Sequence, residues 1–244
     1  MLRILRFILG ASLVPLCVAV TLALLDVLRH TQSTGVLLSP ETTWLLTGYL
    51  LWLGMWFFLP QPVRAYVVAH ELTHALWAVF FGGRVRNLRV TEKGGSVRVT
   101  KSNLLITLAP YFFPFYTILV ILIRFLLGLF MKEVPFPLIW LFLVGLTWGF
   151  HVTFTLQSLM TTQPDISEYG KLFSYVIIYL FNLLGVCLWV VCTTSATFDN
   201  LGSALMIHTV DVYASICDEV EARRHFLFDA INTLNKLLLH SGGR

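Results

Sequence analysis

The chain has 244 residues, of which 57% are apolar or aromatic and only 12% are charged, with a formal net charge of +4. Ordinary soluble domains carry roughly a quarter charged residues, and disordered chains carry few apolar ones, so this composition excludes both classes. Several apolar runs reach about 20 residues, the length that a helix needs to cross the hydrocarbon core of a bilayer. The composition therefore predicts an integral, multi-pass membrane protein surrounded by the lipid bilayer.

The basic residues are concentrated in one stretch. Six of the 17 lie within residues 84–101, between apolar segments and with almost no aromatic residues on which bases could stack. We therefore expect no nucleic-acid partner. The four cysteines show no CxxC spacing, and three of them lie in or near apolar segments. This favours buried thiols over a disulfide framework or a cysteine metal site.

Six apolar segments are candidate transmembrane helices. The first follows Arg3 and Arg6 and has features of a signal peptide, but it is long for one and lacks a clear A-x-A cleavage site. We interpret it as a retained helix. The third segment ends at Gly82-Gly83, a helix-stop signal. In chain order the segments cover residues 7–28, 43–59, 63–81, 104–130, 136–160 and 172–191.

Two further segments have other patterns. Residues 84–101 alternate β-branched and charged residues around Gly94-Gly95, which predicts a β-hairpin. From residue 199, charges interrupt every apolar run while apolar residues recur at helical spacing, which predicts an amphipathic tail packed on the protein or on the membrane surface. The predicted fold is an all-α polytopic membrane protein with about six transmembrane helices in domain 1–198, a small β-hairpin and a helical tail, 199–244.

The third apolar segment contains three ionisable residues in five positions, His70-Glu71-Leu72-Thr73-His74. Such groups are expensive within a membrane span and usually functional. Positions i and i+4 share a helix face, so both imidazoles can bind one ion, and Glu71 can take a proton from metal-bound water. This is the HExxH pattern of zinc hydrolases, for which a shuffled chain of this composition contains ~0.006 matches. The alternative is a polar cluster that joins helices, which the desolvation of three such groups disfavours.

Two histidines do not complete a catalytic zinc site, which needs a third protein ligand and a water. Asp165 is a candidate, because it follows Gln163-Pro164 directly after the fifth apolar segment. Pro-Asp also occurs in ordinary turns. His151, inside the fifth segment, is the competing ligand, and otherwise it would orient the substrate or support another ligand. These residues by themselves leave the choice open.

The stretch from His70 to Tyr116 resembles the site-2 protease (M50) family of membrane zinc metalloproteases, and is most similar to its short M50B-like branch. The similarity consists of the HExxH motif, the small-residue turn at Gly82-Gly83, the Gly-Gly β-segment and the proline-rich helix that follows. It covers roughly residues 63–170, the core of the predicted membrane domain. The resemblance implies a zinc metalloendopeptidase that hydrolyses peptide bonds in transmembrane or membrane-proximal segments of membrane-protein substrates.

The resemblance also implies roles for single residues. His70, His74 and Asp165 would hold Zn²⁺, as two histidines and an aspartate do in that family. Glu71 would act as general base and then as proton donor to the leaving amine. Gln157 falls where the family has an asparagine, and would hydrogen-bond the substrate backbone or the developing oxyanion. The β-hairpin would pair with an extended substrate strand, although a plain juxtamembrane loop is an equal alternative.

Two departures from the family pattern leave a different function open. Gln157 replaces an asparagine, and Ile166 replaces the glycine that follows the aspartate. The alternative is a non-proteolytic scaffold or chaperone-like membrane protein that keeps the fold. A transporter would be expected to show inverted repeats, and we find none in the sequence.

Charge and depth predict the orientation of the site. The six basic residues of the hairpin segment favour the cytoplasmic side, which leaves His74 about eight residues, or ~12 Å, from the cytoplasmic end of its helix. With six crossings, Arg3 and Arg6 would lie outside, so either the first segment is unusual or the count is wrong by one. A straight fifth helix would carry Asp165 past the hydrocarbon, so it must break before Pro164. The six basic residues are Arg84, Arg86, Arg89, Lys93, Arg98 and Lys101.

Overall fold

The computed structural model describes residues 2–32, 39–91 and 94–241, and most of them are helical. A short 3₁₀ turn, Ala109–Tyr111, follows the fourth helix. The two strands are β1 (Val85–Thr91) and β2 (Gly94–Val99). The helices are α1 (Leu2–Gln32), α2 (Pro40–Phe58), α3 (Val63–Phe80), α4 (Leu104–Leu108), α5 (Phe115–Phe130), α6 (Pro137–Leu159), α7 (Pro164–Tyr169), α8 (Lys171–Thr193) and α9 (Phe198–Ser241).

Among the described residues, three helices are long and apolar enough to cross a membrane, which agrees with membrane association. They are Leu2–Arg29 within α1, α6, and Lys171–Val191 within α8. Helices α4 and α5 taken together are also long and apolar enough to form a fourth span. The chain bends by 86° at the break between them. In the ranges that the structure describes, neither α2 nor α3 is both long and apolar enough to count as a span, so six transmembrane helices are not supported.

Helices α2 and α6 pack side by side, and two glycines allow their backbones to approach closely. A Cβ atom on Gly48 would overlap the carbonyl oxygen of Phe142, and one on Gly145 would overlap that of Leu45. Small residues permit this kind of close helix contact. The position of the glycines therefore explains why this pair of helices can approach so tightly.

We expect Gly145→Ala to destabilise the protein by about 1–3 kcal/mol, because the added methyl group forces α2 and α6 apart. The measurement is the thermal unfolding midpoint in detergent micelles. Gly185→Ala is the matched control, since a Cβ atom at that position of α8 meets nothing within 4 Å. Equal midpoints for the two variants would contradict the packing explanation.

Several helix ends meet at one end of the molecule, which we call the α7 end. Gln157, near the end of α6, donates from Nε2 to Oε1 of Gln61, which follows α2, at 3.2 Å. Arg6, in the first turns of α1, donates from Nη1 to the carbonyl oxygen of Glu168 in α7 at 2.7 Å. The C-terminal ends of α2 and α6 and the N-terminal ends of α1 and α8 therefore lie together, so α2 and α6 run parallel.

This packing corrects the predicted count of six crossings. Residues 59–136 start at the α7 end and lead to the start of α6 at the opposite end. If α3 and the α4–α5 segment both crossed fully, the chain would return to the α7 end. Residues 59–136 therefore do not make the two full crossings that a count of six requires, and Arg3 and Arg6 lie at the α7 end. An apolar run shows that a helix is kept away from water, but it does not distinguish a helix surrounded by lipid from one covered by other parts of the protein.

The predicted β-hairpin is confirmed, but its two glycines are not the turn. β1 and β2 are antiparallel, with a bulge between Val85 and Asn87. Gly94 pairs with Thr91 and Gly95 with Val90, so both glycines are strand residues. The prediction that these glycines form the turn was wrong, because both pair with residues of β1. The contact of Gly95 with Glu71 is described with the site below.

The helix is interrupted between α6 and α8, as predicted from the depth of Asp165 in the membrane. Helix α6 ends at Leu159, and α7 begins at Pro164, whose missing N–H suits the first position of a helix. Gly170, with φ of 93°, separates α7 from α8. Asp165 therefore lies in a short helix between two candidate spans.

The predicted helical tail is α9, and its first part packs along α1. Leu201 and Ala204 are buried in a cluster formed with α1 and α8. The hydroxyl of Tyr213 donates to the carbonyl oxygen of Ser12 at 2.8 Å. The first part of the tail therefore packs on the protein, beside a candidate span. This is one of the two placements that the sequence predicted.

Candidate metal centre

Two elements bring three potential ligands together. His70 and His74 lie one turn apart on α3, with their Nε2 atoms 3.2 Å from each other. Oδ2 of Asp165, in the first turn of α7, lies 3.4 Å from Nε2 of His70 and 3.5 Å from Nε2 of His74. Ligands at about 2.0–2.1 Å from a tetrahedral zinc ion are about 3.3 Å apart. The three atoms therefore fit three corners of a zinc tetrahedron.

Further hydrogen bonds orient both imidazole rings. Nδ1 of His74 donates to the carbonyl oxygen of Ile106 at 2.8 Å, which directs Nε2 toward the other ligands. Nδ1 of His70 lies 3.3 Å from the hydroxyl of Tyr66, which in turn lies 2.6 Å from Oγ of Ser158. Partners of this kind fix the ring orientation of metal-binding histidines. The donor set is therefore arranged before any ion binds.

The carboxylate of Asp165 is also held by its surroundings. The hydroxyl of Tyr111, a fully buried side chain, donates to Oδ2 of Asp165 at 3.1 Å. Burial by itself raises the pKa of the Asp165 carboxyl, but hydrogen bonds with the rings of His70 and His74 outweigh it and keep that pKa below its ordinary value. Asp165 is therefore ionised at neutral pH, as a metal ligand must be.

A cavity of about 360 Å³ opens beside the three ligands. Its wall includes Glu71, whose residue surface is only 7% exposed, and part of β2. Gly95 of β2 passes directly over Glu71, because a Cβ atom there would lie 2.8 Å from Oε1 of Glu71 and 2.7 Å from Cγ1 of Val67. Glycine at this position therefore lets the strand cross α3 while Glu71 remains in the wall.

The structure does not bring Gln157 or His151 to the ligand cluster. Gln157 is exposed and bonded to Gln61, and it is not among the residues that line the cavity. His151 is buried in α6, where Nε2 lies 3.4 Å from Oδ1 of Asn182. Asn182 also donates to the carbonyl oxygen of Tyr111 at 2.9 Å. His151 therefore lines a small cavity together with His70 and is linked to Asp165 through Asn182 and Tyr111, while Asp165 itself approaches the two α3 histidines directly.

Three residues near the site were not identified from sequence. Tyr66 precedes His70 by four positions, so its place on the same helix face was detectable from the spacing. Gln163 lines the cavity and stands directly before Pro164-Asp165. Tyr111 carries no such signal, since it is distant in sequence from all the other site residues.

We expect Tyr111→Phe to weaken zinc affinity by about 10-fold, because Asp165 loses a hydrogen bond that holds its carboxylate. The measurement is competition with a zinc chelator of known affinity at pH 7. Tyr116→Phe is the matched control, since the hydroxyl of Tyr116 donates to the carbonyl oxygen of Ala65 and not to a ligand. Equal zinc affinities for the wild type and Tyr111→Phe would contradict this role.

Comparison with known proteins adds no further assignment: no protein-family model, curated protein or solved structure matches the chain.

Proposed function

We propose that this protein is a zinc metalloendopeptidase of the site-2 protease (M50) type. It is a multi-pass membrane protein that hydrolyses peptide bonds in transmembrane or membrane-proximal segments of other membrane proteins. The observation that carries the proposal is the approach of Asp165, on a separate helix, to within 3.5 Å of both HExxH histidines. A purely structural polar cluster has no need of this tetrahedral spacing.

The chemistry follows from the side chains around the cavity. His70 and His74, through Nε2, and Asp165, through Oδ2, would hold the ion. Bound zinc supplies Lewis-acid chemistry, which lowers the pKa of water and polarises a carbonyl group. Glu71, in the cavity wall, takes the proton of the attacking water and passes it to the leaving amine.

Strand β2 offers a binding edge for the substrate. It pairs with β1 along one edge, and its residues Gly95, Ser96, Val97 and Val99 line the cavity beside Glu71. An extended peptide can add to an exposed strand edge through backbone hydrogen bonds. A substrate helix must therefore unwind locally before its peptide bond reaches the site.

The amide that binds the substrate is better supplied by Gln163 than by Gln157. Gln163 lines the cavity, and although its Nε2 donates one hydrogen to Oγ1 of Thr161 at 2.8 Å, a second N–H is left for a ligand. Gln157 does not line the cavity and is bonded to Gln61. An amide N–H facing the reacting carbonyl stabilises the charge that develops on its oxygen. We therefore transfer the proposed oxyanion role to Gln163.

Basic residues favour the cytoplasmic side for the site. Arg6 bonds α7, and β2 lines the same cavity as Asp165, so the basic residues of the hairpin and of the N-terminus share the α7 end. Positive residues accumulate on the cytoplasmic side of membrane proteins. Because both groups of basic residues lie at one end, the N-terminal arginines support this orientation instead of opposing it.

The proposal is tested with the full chain purified in detergent and reconstituted into vesicles. We expect about one zinc ion per chain and cleavage of some members of a panel of tagged single-span membrane proteins. A zinc chelator should stop the cleavage, and added zinc should restore it. A chain that binds no zinc at neutral pH would overturn the proposal.

One observation favours a second candidate function, a membrane scaffold or chaperone-like protein without peptidase activity. Ile166, where the family has a glycine, is 2% exposed and packs in the core beneath the site, which shows a local departure from the peptidase pattern. The same assay separates the two functions. Bound zinc without cleavage of any panel member, under conditions in which a known membrane peptidase cleaves its own substrate, would favour the scaffold.

A further inference from the structure

A separate cavity, of about 340 Å³, lies at the α7 end between the first turns of α1 and α8. Its lining combines cationic and apolar side chains, with Glu168 as its one acidic residue. Three positive charges therefore face one negative charge. The cationic side chains are Arg3, Arg6 and Lys171, and the apolar ones are Phe7, Leu172 and Phe173.

The guanidinium of Arg6 is fixed in this cavity. Nη1 donates to the carbonyl oxygen of Glu168 at 2.7 Å, and the Cζ atom lies 4.7 Å from the centre of the Tyr169 ring. A guanidinium has five N–H donors, so the bond to Glu168 leaves others for a ligand. Arg3 and Lys171 are exposed beside it. The cluster therefore suits an anion with several acceptor oxygens, such as a phosphate group.

The cavity lies where two candidate membrane spans begin, Leu2 in α1 and Lys171 in α8. The ends of spanning helices lie at the level of the lipid headgroups. Beside the cationic cluster, the outer face of α1 is apolar and accessible, with Leu2 68% and Ile4 67% exposed. A headgroup site next to an apolar helix face matches both parts of a phospholipid. Basic pockets between spanning helices are known to bind anionic headgroups.

We propose that this cavity binds the phosphate group of an anionic phospholipid. Arg3, Arg6 and Lys171 contact the phosphate oxygens, and the acyl chains lie along Phe7 and the exposed face of α1. The proposal does not depend on the peptidase function, because none of these residues belongs to the metal cluster. It does place a lipid next to Glu168, in the helix that carries Asp165.

The test titrates phosphatidylglycerol against the full chain in detergent micelles and counts bound lipids by native mass spectrometry. We expect Arg3→Gln/Lys171→Gln to bind phosphatidylglycerol about 10- to 30-fold more weakly than the wild type. Arg29→Gln/Lys132→Gln is the matched control, since it removes one arginine and one lysine that are exposed at the opposite end. It should bind as the wild type does, and equal weakening of both variants would overturn the proposal.

Two further arms identify the ligand. Phosphatidylcholine, which carries a phosphate but no net charge, should bind at least tenfold more weakly than phosphatidylglycerol, and equal binding overturns the anionic site. Inorganic phosphate at millimolar concentration should not displace the lipid, and displacement would assign the cavity to free phosphate. If the double variant does not fold, Lys171→Gln alone should still weaken binding, and wild-type affinity would count against the site.

Discussion

Replacement of Glu71 by Gln is expected to lower peptide-bond cleavage by about 10²–10⁴-fold, while the protein retains about one zinc ion per chain. The amide occupies nearly the same volume as the carboxylate, so the close approach of Gly95 to this side chain is preserved. It does not accept a proton from water, however, so only the chemical step is affected. Cleavage rate in vesicles and zinc content of the same preparation are the two measurements.

Glu133→Gln is the control for Glu71→Gln, because it makes the same chemical change at an exposed position between α5 and α6. It should cleave at the wild-type rate. Wild-type cleavage by Glu71→Gln would remove this carboxylate from the mechanism. Loss of zinc from Glu71→Gln would instead make Glu71 a ligand.

For Asp165→Ala we expect zinc affinity to fall by at least about 100-fold, since loss of a direct ligand should exceed the 10–100-fold effect of a supporting residue. The variant removes the oxygen that lies 3.4 Å and 3.5 Å from the two histidine nitrogens. Competition with a chelator at pH 7 measures the affinity. Asp165→Asn is a second variant that keeps the shape of the side chain and the contact with Tyr111 but loses the charge.

His151→Gln distinguishes the two candidate third ligands. Its side chain can keep a hydrogen bond with Asn182 but lies outside the group formed by His70, His74 and Asp165. Zinc affinity should therefore stay within a few-fold of the wild type. The reverse result, with tight zinc binding in Asp165→Ala and weak binding in His151→Gln, would transfer the ligand role to His151.

The features that the sequence predicted well depend on neighbouring residues. The 3.6-residue repeat of a helix puts His70 and His74 on one face, and their Nε2 atoms are indeed 3.2 Å apart. The alternating pattern of residues 84–101 produced two antiparallel strands. Helix α6 ended at Leu159, before Pro164 and Asp165, as the depth of Asp165 required.

Other features were decided by contacts between distant parts of the chain. The approach of Asp165 to α3, the bond from Tyr111 and the passage of β2 over Glu71 all join segments that no local pattern connects. Three or four spans are supported in the described residues instead of six, because hydropathy measures how apolar a helix is, whereas its neighbours decide whether lipid or protein covers it. For this protein, short-range periodicity determined the helices, the hairpin and the histidine pair. Only the tertiary structure decided which third side chain faces that pair, because α3 and α7 are far apart in the chain and are brought together around α4, which packs against both.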